Sequence, residues 1–267
     1  VSEDKRSAIF NWDWKAGTNF FKQFISGAFI TIVMTGLDQD MMQKNLTCRT
    51  IRDAQKNMFW FTIILVVVNL LFLSLGILLY LYAETKGIAI PTKTDELFPF
   101  LATQEFSALA GVVFVLGITA AAYSSADSTL TALTTSFCID FLELERKYAA
   151  EKRVAIRKKV HIAFTGLMFL LVLAFYRLND QSVINSVFII AGYTYGPLLG
   201  LYSFGLFTKM KVQDKWVPYL AVVAPVLTFI ISSNSEKWLW GYKFGFEALI
   251  LNGALMFLGL YLFRRKS

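Results

Sequence analysis

The chain has 267 residues, of which 56% are hydrophobic, 16% aromatic and only 17% charged, with a mean hydropathy of +0.53; a soluble domain carries about 25% charged residues. This excludes a soluble enzyme, a disordered chain, a collagen and a disulfide-stapled secreted module, because 25 Phe among abundant Leu, Ile and Val cannot stay solvated and there are only two Cys. The net charge of +7, from 26 Lys and Arg against 19 Asp and Glu, acquires meaning from its placement along the chain.

Residues 1–23 are polar and aromatic and lack the basic start, apolar stretch and cleavage site of a signal peptide. A chain that opens on Val1 in such a stretch reads as a piece of a longer protein. Beyond it, seven segments reach the roughly 20 apolar residues that a helix needs to cross ~30 Å of hydrocarbon. They run near 24–42, 58–83, 106–140, 161–178, 183–207, 216–233 and 244–263. The pattern predicts an all-α integral membrane protein.

The first segment carries Gly36, Asp38, Gln39 and Asp40 where a spanning helix should be apolar. Asp38 and Asp40 suit either a cytoplasmic rim facing Lys44 or Arg49, or direct participation in a polar pathway. The second segment is free of charge from Met58 to Ala83. In the third, at ~100° per residue, Ala121, Ser124, Ser128, Thr131 and Thr135 share one narrow face, bordered by Asp127 on one side and Ser125 on the other. Such an oxygen-rich stripe suits a hard cation, which prefers hydroxyl, carbonyl and carboxylate oxygens. It equally suits close helix packing. Asp127 favours an ion or proton pathway, because a carboxylate at membrane depth is costly unless it has a role. In the fifth segment Gly192, Gly196, Pro197 and Gly200 predict a loosened helix with freed carbonyls, a feature of transporter binding regions.

The loops preceding segments two, four and six, together with the end of the chain, hold 17 of the Lys and Arg, and the alternate loops hold 5. Cytoplasmic loops collect these residues, so the leading segment is expected outside and the C-terminus inside. The loop with Arg146, Lys147, Lys152, Arg153, Arg157, Lys158 and Lys159 is read as this orientation signal and not as a nucleic-acid or lipid-headgroup site. Cys48 lies in a basic loop and Cys138 in an apolar run, so no bridge is expected, and the single His161 reads as an interfacial side chain and not a metal ligand.

Three stretches carry a family resemblance. Gly36-Leu37-Asp38-Gln39 followed by Met42-Gln43-Lys44 resembles a G-x-D-Q-x-x-x-Q-R pattern, with Lys44 in place of Arg. The others are Ala121-Ala122-Tyr123-Ser124-Ser125, and Gly196-Pro197-Leu198-Leu199-Gly200 running into Gly205-Leu206-Phe207-Thr208-Lys209. In these the chain resembles the C-terminal portion of a member of the sodium:solute symporter family. The resemblance implies a LeuT-like inverted-repeat fold, with residues 24–207 as the second five-helix repeat, 208–263 as two peripheral helices and 264–267 as a basic cytoplasmic tail. The first repeat, in a missing N-terminal half, would be the partner.

The resemblance also implies Na+ ligands, the Ala121 carbonyl and the Ser124 and Ser125 hydroxyls, with Asp127 and Ser128 at the positions of a second ion site. It makes Thr31, Met34, Thr35, Tyr193 and Tyr195 candidate substrate-cavity residues, and Gly36, Asp38, Gln39, Gly192, Gly196 and Pro197 candidate gating or structural positions. Thr31 to Thr35 lack the Asn and aromatic residues of sugar-transporting relatives, which leaves a small organic anion or amino acid. The implied activity is Na+-coupled symport of a small organic solute by a multi-pass protein of the cell membrane. The alternatives are proton coupling through Asp127 and a symporter-like sensor, for which residues 264–267 supply no kinase or receiver sequence. No nucleophile and base pair points to an enzyme.

Overall fold

A computed structural model describes residues 10–178 and 183–265, the side chain of Leu178 excepted. Its regular structure consists of helices α1 (Phe20–Gly36), α2 (Gln39–Leu46), α3 (Ile51–Lys86), α4 (Leu97–Phe100), α5 (Ala108–Ser136), α6 (Leu144–Lys147), α7 (Ala150–Leu178), α8 (Val183–Phe207), α9 (Val217–Trp238) and α10 (Ala248–Leu262). Two compact units form, one from residues 1–41 with 184–267 and the other from 42–183.

In the second unit, α3 is started by Thr50, whose hydroxyl accepts from the Asp53 amide at 3.1 Å. It is stopped by Gly87, at φ 65°, where the Ile88 amide returns to the Ala83 carbonyl at 2.9 Å. Leu79 and Ala83 at its end pack with Leu97 and Leu101. Along the rest of α3 the apolar side chains from Phe59 to Leu73 are exposed. A 36-residue helix so apolar on all sides is solvated by lipid and not by water. Helix α5 starts on the Ser107 hydroxyl and passes at Phe137–Phe141 into a π-turn, where Phe137 meets Phe164 of α7 edge-on at 5.6 Å. Cys48 and Cys138 are free thiols.

The first unit is built around α10. Leu249, Asn252, Gly253, Met256, Gly259 and Leu260 of this helix are buried. Leu249 packs with Ile30 and Val33 of α1, and Met256 and Leu260 with Phe204 of α8 and Ala224 of α9.

All seven predicted segments are helical among the described residues, with three corrections. The first is two helices and not one, since α1 and α2 meet at 57°. The fourth begins earlier, because the basic stretch from Ala150 continues the helix through to Leu178. The seventh is 15 residues long, too short for ~30 Å of hydrocarbon at ~1.5 Å per residue. Its expected first turn is a loop in which Gly245 lies against the Gly17 backbone and Glu247 is drawn into an ion pair. Among the described residues five helices are long and apolar enough to span, six if the bent pair is one crossing. The chain is an all-helical, multi-pass membrane protein.

Candidate functional site

The spanning stretch Ala108–Phe141 places Ser124 16 residues after its start and Ser125 16 before its end, so the serine pair stands at its centre. Elsewhere, hydroxyls on these helices bond to the carbonyl four residues back. Thr62 bonds Met58 at 2.9 Å, Ser74 bonds Leu70 at 2.8 Å and Thr165 bonds His161 at 2.9 Å. The Ser124 and Ser125 hydroxyls make no hydrogen bond among the described residues. Ala121, Ser124, Ser125 and Asp127 are exposed on α5, and Ser128 is half-buried. The uncommitted Ser124 and Ser125 hydroxyls at mid-span have the chemistry of ligands for a hard monovalent cation. Among the described residues no group of three His, Cys, Asp or Glu side chains could hold a metal ion.

The other candidates lie in the first unit. Asp38 sits between α1 and α2 and does two things. Its Oδ1 accepts from the amides of Asp40 at 3.0 Å and Met41 at 3.3 Å, starting α2 in the manner of an N-cap. Its Oδ2 accepts from the Tyr195 hydroxyl at 3.1 Å. The break at Gly36-Leu37-Asp38 is therefore stabilised locally and tied to α8. Gln39 is exposed as the first residue of α2. Met34 and Tyr195 flank the cluster of Ile30, Val33 and Leu249. Thr31 is exposed, with its hydroxyl on the Gly27 carbonyl at 2.8 Å, and Thr35 is half-buried. A cavity of about 320 Å³ is lined by Gln23, Asn185, Gly192, Tyr193, Ser232 and Phe246, among others. It takes in Tyr193, but not Thr31, Met34, Thr35 or Tyr195.

The glycines of the fifth segment do not interrupt it: α8 runs unbroken through Pro197. Gly192, Gly196 and Gly200 recur every fourth residue, forming a stripe of small residues of the kind that lets two backbones approach. A Cβ on Gly196 would collide with the Asn252 side chain, and one on Gly200 would stand 2.5 Å from the Gly253 carbonyl. Asn252, buried in α10, donates to the Gly192 carbonyl at 3.1 Å and the Tyr193 carbonyl at 2.9 Å. Carbonyls are available here, as expected, but a neighbouring helix uses them. Sequence reasoning missed Asn252; a lone Asn in the apolar run 248–262 was the available signal.

It also missed Lys22. This lysine is buried, with its ammonium 3.5 Å from the Tyr242 ring centroid, 3.1 Å from the Lys243 carbonyl and 3.8 Å from Glu247. Tyr242 donates to Glu247 at 2.9 Å, and burial together with that bond pushes its phenol above the ordinary range. The cluster ties the leading segment and α1 to the loop before α10. Lys22→Met is expected to destabilise the protein by about 3 kcal/mol, because Glu247 is left nearly buried without its cation. Adding Glu247→Gln should recover part of that loss. Thermal unfolding of the three variants measures it, and a double variant no more stable than Lys22→Met would contradict the pairing.

No family model matches the chain, and no solved structure matches it. Curated relatives do match, among them three sodium-dependent transporters. The sodium/sialic acid symporter of Proteus mirabilis is 23% identical over 212 residues, covering 77% of this chain and 42% of the relative. The sodium/iodide cotransporter of Homo sapiens is 23% identical over 203 residues, 74% of this chain and 32% of the relative. A Drosophila melanogaster protein named for sodium-dependent multivitamin transport is 23% identical over 207 residues, 73% of this chain and 34% of its own length. The chain thus spans well under half the length of the relatives it matches. All three are named as sodium-dependent transporters and none as an enzyme. Motifs and relatives agree: the chain is a relative of the sodium symporters.

Proposed function

We propose that this chain is the C-terminal part of a sodium-coupled symporter for a small organic solute, with α1 to α8 as the second repeat of a LeuT-like core and α9 and α10 peripheral to it. One observation carries the reading. The Ser124 and Ser125 hydroxyls lie uncommitted at the centre of a span, at the depth where transporter ion sites are found. In the proposed site the Ala121 carbonyl and the two hydroxyls hold Na+, with Asp127 and Ser128 one turn further along as a second ion position. This face of α5 is exposed. Polar side chains at that depth need cover from protein or a water-filled cavity. The proposed cover is a broken helix from the preceding half of the same protein.

Sodium bound there ties the two halves together and favours one conformation of the carrier, and its release lets the bundle rock. Each inward charge brings about 2.3 kcal/mol per 100 mV of membrane potential. The solute is a small organic anion or amino acid, in keeping with the sialic acid named for one relative. The proposed setting is the cell membrane, with the C-terminus cytoplasmic. In proteoliposomes holding the full-length protein, an inward Na+ gradient is expected to drive accumulation from a panel of radiolabelled organic anions and amino acids. Accumulation under a pH gradient alone, without Na+, would instead assign coupling to Asp127, and binding without accumulation would assign a sensor.

A further inference from the structure

The sodium reading uses only the upper part of the α5 stripe. Thr131 and Thr135, one and two turns further on, share its face and have no role in that reading. With Thr134 they form one wall of a cavity of about 380 Å³, whose other wall is Arg157, Lys158 and His161 of α7. Thr134 is buried, and its hydroxyl lies 3.1 Å from His161 Nδ1, which joins the two walls. The other polar groups are uncommitted. The Thr131 and Thr135 hydroxyls, the Arg157 guanidinium and the Lys158 ammonium have no hydrogen-bond or ion-pair partner among the described residues. No Asp or Glu lines the cavity.

These groups differ from Arg146, Lys147 and Arg153 of the same basic loop, whose charges have partners within the fold. Arg146 and Lys147 pair with Glu143 at 3.3 and 3.4 Å, and Arg153 donates to the Tyr148 and Glu145 carbonyls at 2.8 and 2.7 Å. A cavity that combines an unused guanidinium, an unused ammonium and two free hydroxyls, without an opposing carboxylate, is matched by a phosphate group. Arg supplies a planar fork for two phosphate oxygens, Lys a point charge and the threonines neutral donors. The apolar Ile162 at its edge and the exposed Phe169, two turns further along the same face of α7, continue it into a surface suited to acyl chains. The cavity lies at the end of α5 that the Lys and Arg distribution assigns to the cytoplasm, where the leaflet is rich in acidic lipids.

We propose that the cleft between α5 and α7 is a binding site for a phosphate-bearing anion, supplied by an acidic phospholipid headgroup or by free phosphate. The full-length protein, purified in detergent, is titrated with phosphatidylglycerol, phosphatidylcholine and inorganic phosphate, and bound ligand is read by native mass spectrometry. Phosphatidylglycerol is expected to be retained in preference to phosphatidylcholine. Arg157→Gln with Lys158→Gln should weaken that binding roughly thirtyfold, the effect of two basic side chains beside an acidic headgroup. Thr131→Val with Thr135→Val should weaken it roughly fivefold without changing charge, the scale of a lost hydrogen bond. Lys152→Gln with Lys159→Gln, on the same helix but outside the cavity, should leave it unchanged.

Inorganic phosphate that displaces the lipid, with the same dependence on Arg157 and Lys158, identifies free phosphate as the ligand. Phosphate that fails to compete identifies the lipid. The site is overturned if neither anion binds, if the Arg157 and Lys158 variant binds as the unmodified protein does, or if the Lys152 and Lys159 variant loses as much. Binding is measured without transport, so a negative result leaves the sodium proposal standing, and the converse also holds.

Discussion

Replacing Ser124 and Ser125 together by Ala in the full-length protein is expected to raise the Na+ concentration for half-maximal uptake by at least about tenfold. A hydrogen bond or ligand contact to a charged group contributes about 1.5–3 kcal/mol, and each 1.4 kcal/mol is a factor of ten in affinity. Two such contacts are removed. Nothing in the described residues compensates, because neither hydroxyl takes part in the helix's own bonding and the substitution leaves α5 intact. For that reason a loss of sodium affinity would not report misfolding, and the thermal midpoint without sodium should be unchanged. Sodium should also raise the midpoint of the unmodified protein and not that of the variant. Unaltered sodium dependence of uptake in the double variant would refute the ligand assignment.

The second large effect is on stability. Gly200→Ala places a methyl 2.5 Å from the Gly253 carbonyl and 2.6 Å from the Met256 side chain, so a backbone atom must move. Overpacking of this kind costs about 1–3 kcal/mol, and α10 meets this stripe at Leu249, Asn252, Gly253 and Met256. A fall of several degrees in the melting midpoint of the purified protein is expected. Gly205→Ala, on the same helix, meets nothing within 4 Å and should leave the midpoint equal or slightly higher, since Ala favours helix over Gly. Equal behaviour of the two variants would mean that α8 and α10 do not pack as described.

The contrast between these two glycines shows how far the chain could be read before it was seen folded. Gly, Pro and Gly in an apolar run announce either a broken helix or a close helix contact, and both fit Gly196-Pro197-Leu198-Leu199-Gly200. Which one holds depends on whether a second helix is present to meet the small residues. That helix, α10, lies about 50 residues further along the chain. In the first segment the single helix expected was broken, although the signal was local: Asp38 caps a new helix start by itself. Its bond to Tyr195 joins positions 157 residues apart, and no local pattern encodes it.

Composition and periodicity by themselves determined that the chain is helical, that it lives in a bilayer, that its basic loops alternate and that its third span carries an oxygen-rich face. These follow from hydrophobicity and the helical repeat, which act over a few turns. Only the tertiary structure decided which carbonyls are already taken, which basic side chains are spent on the fold and which remain free, and that Lys22 and Asn252 are buried. Those outcomes depend on pairing between residues distant in the chain. A polar group in an apolar surrounding has large consequences for stability or function, but its sequence neighbours do not say whether a partner from elsewhere will satisfy it.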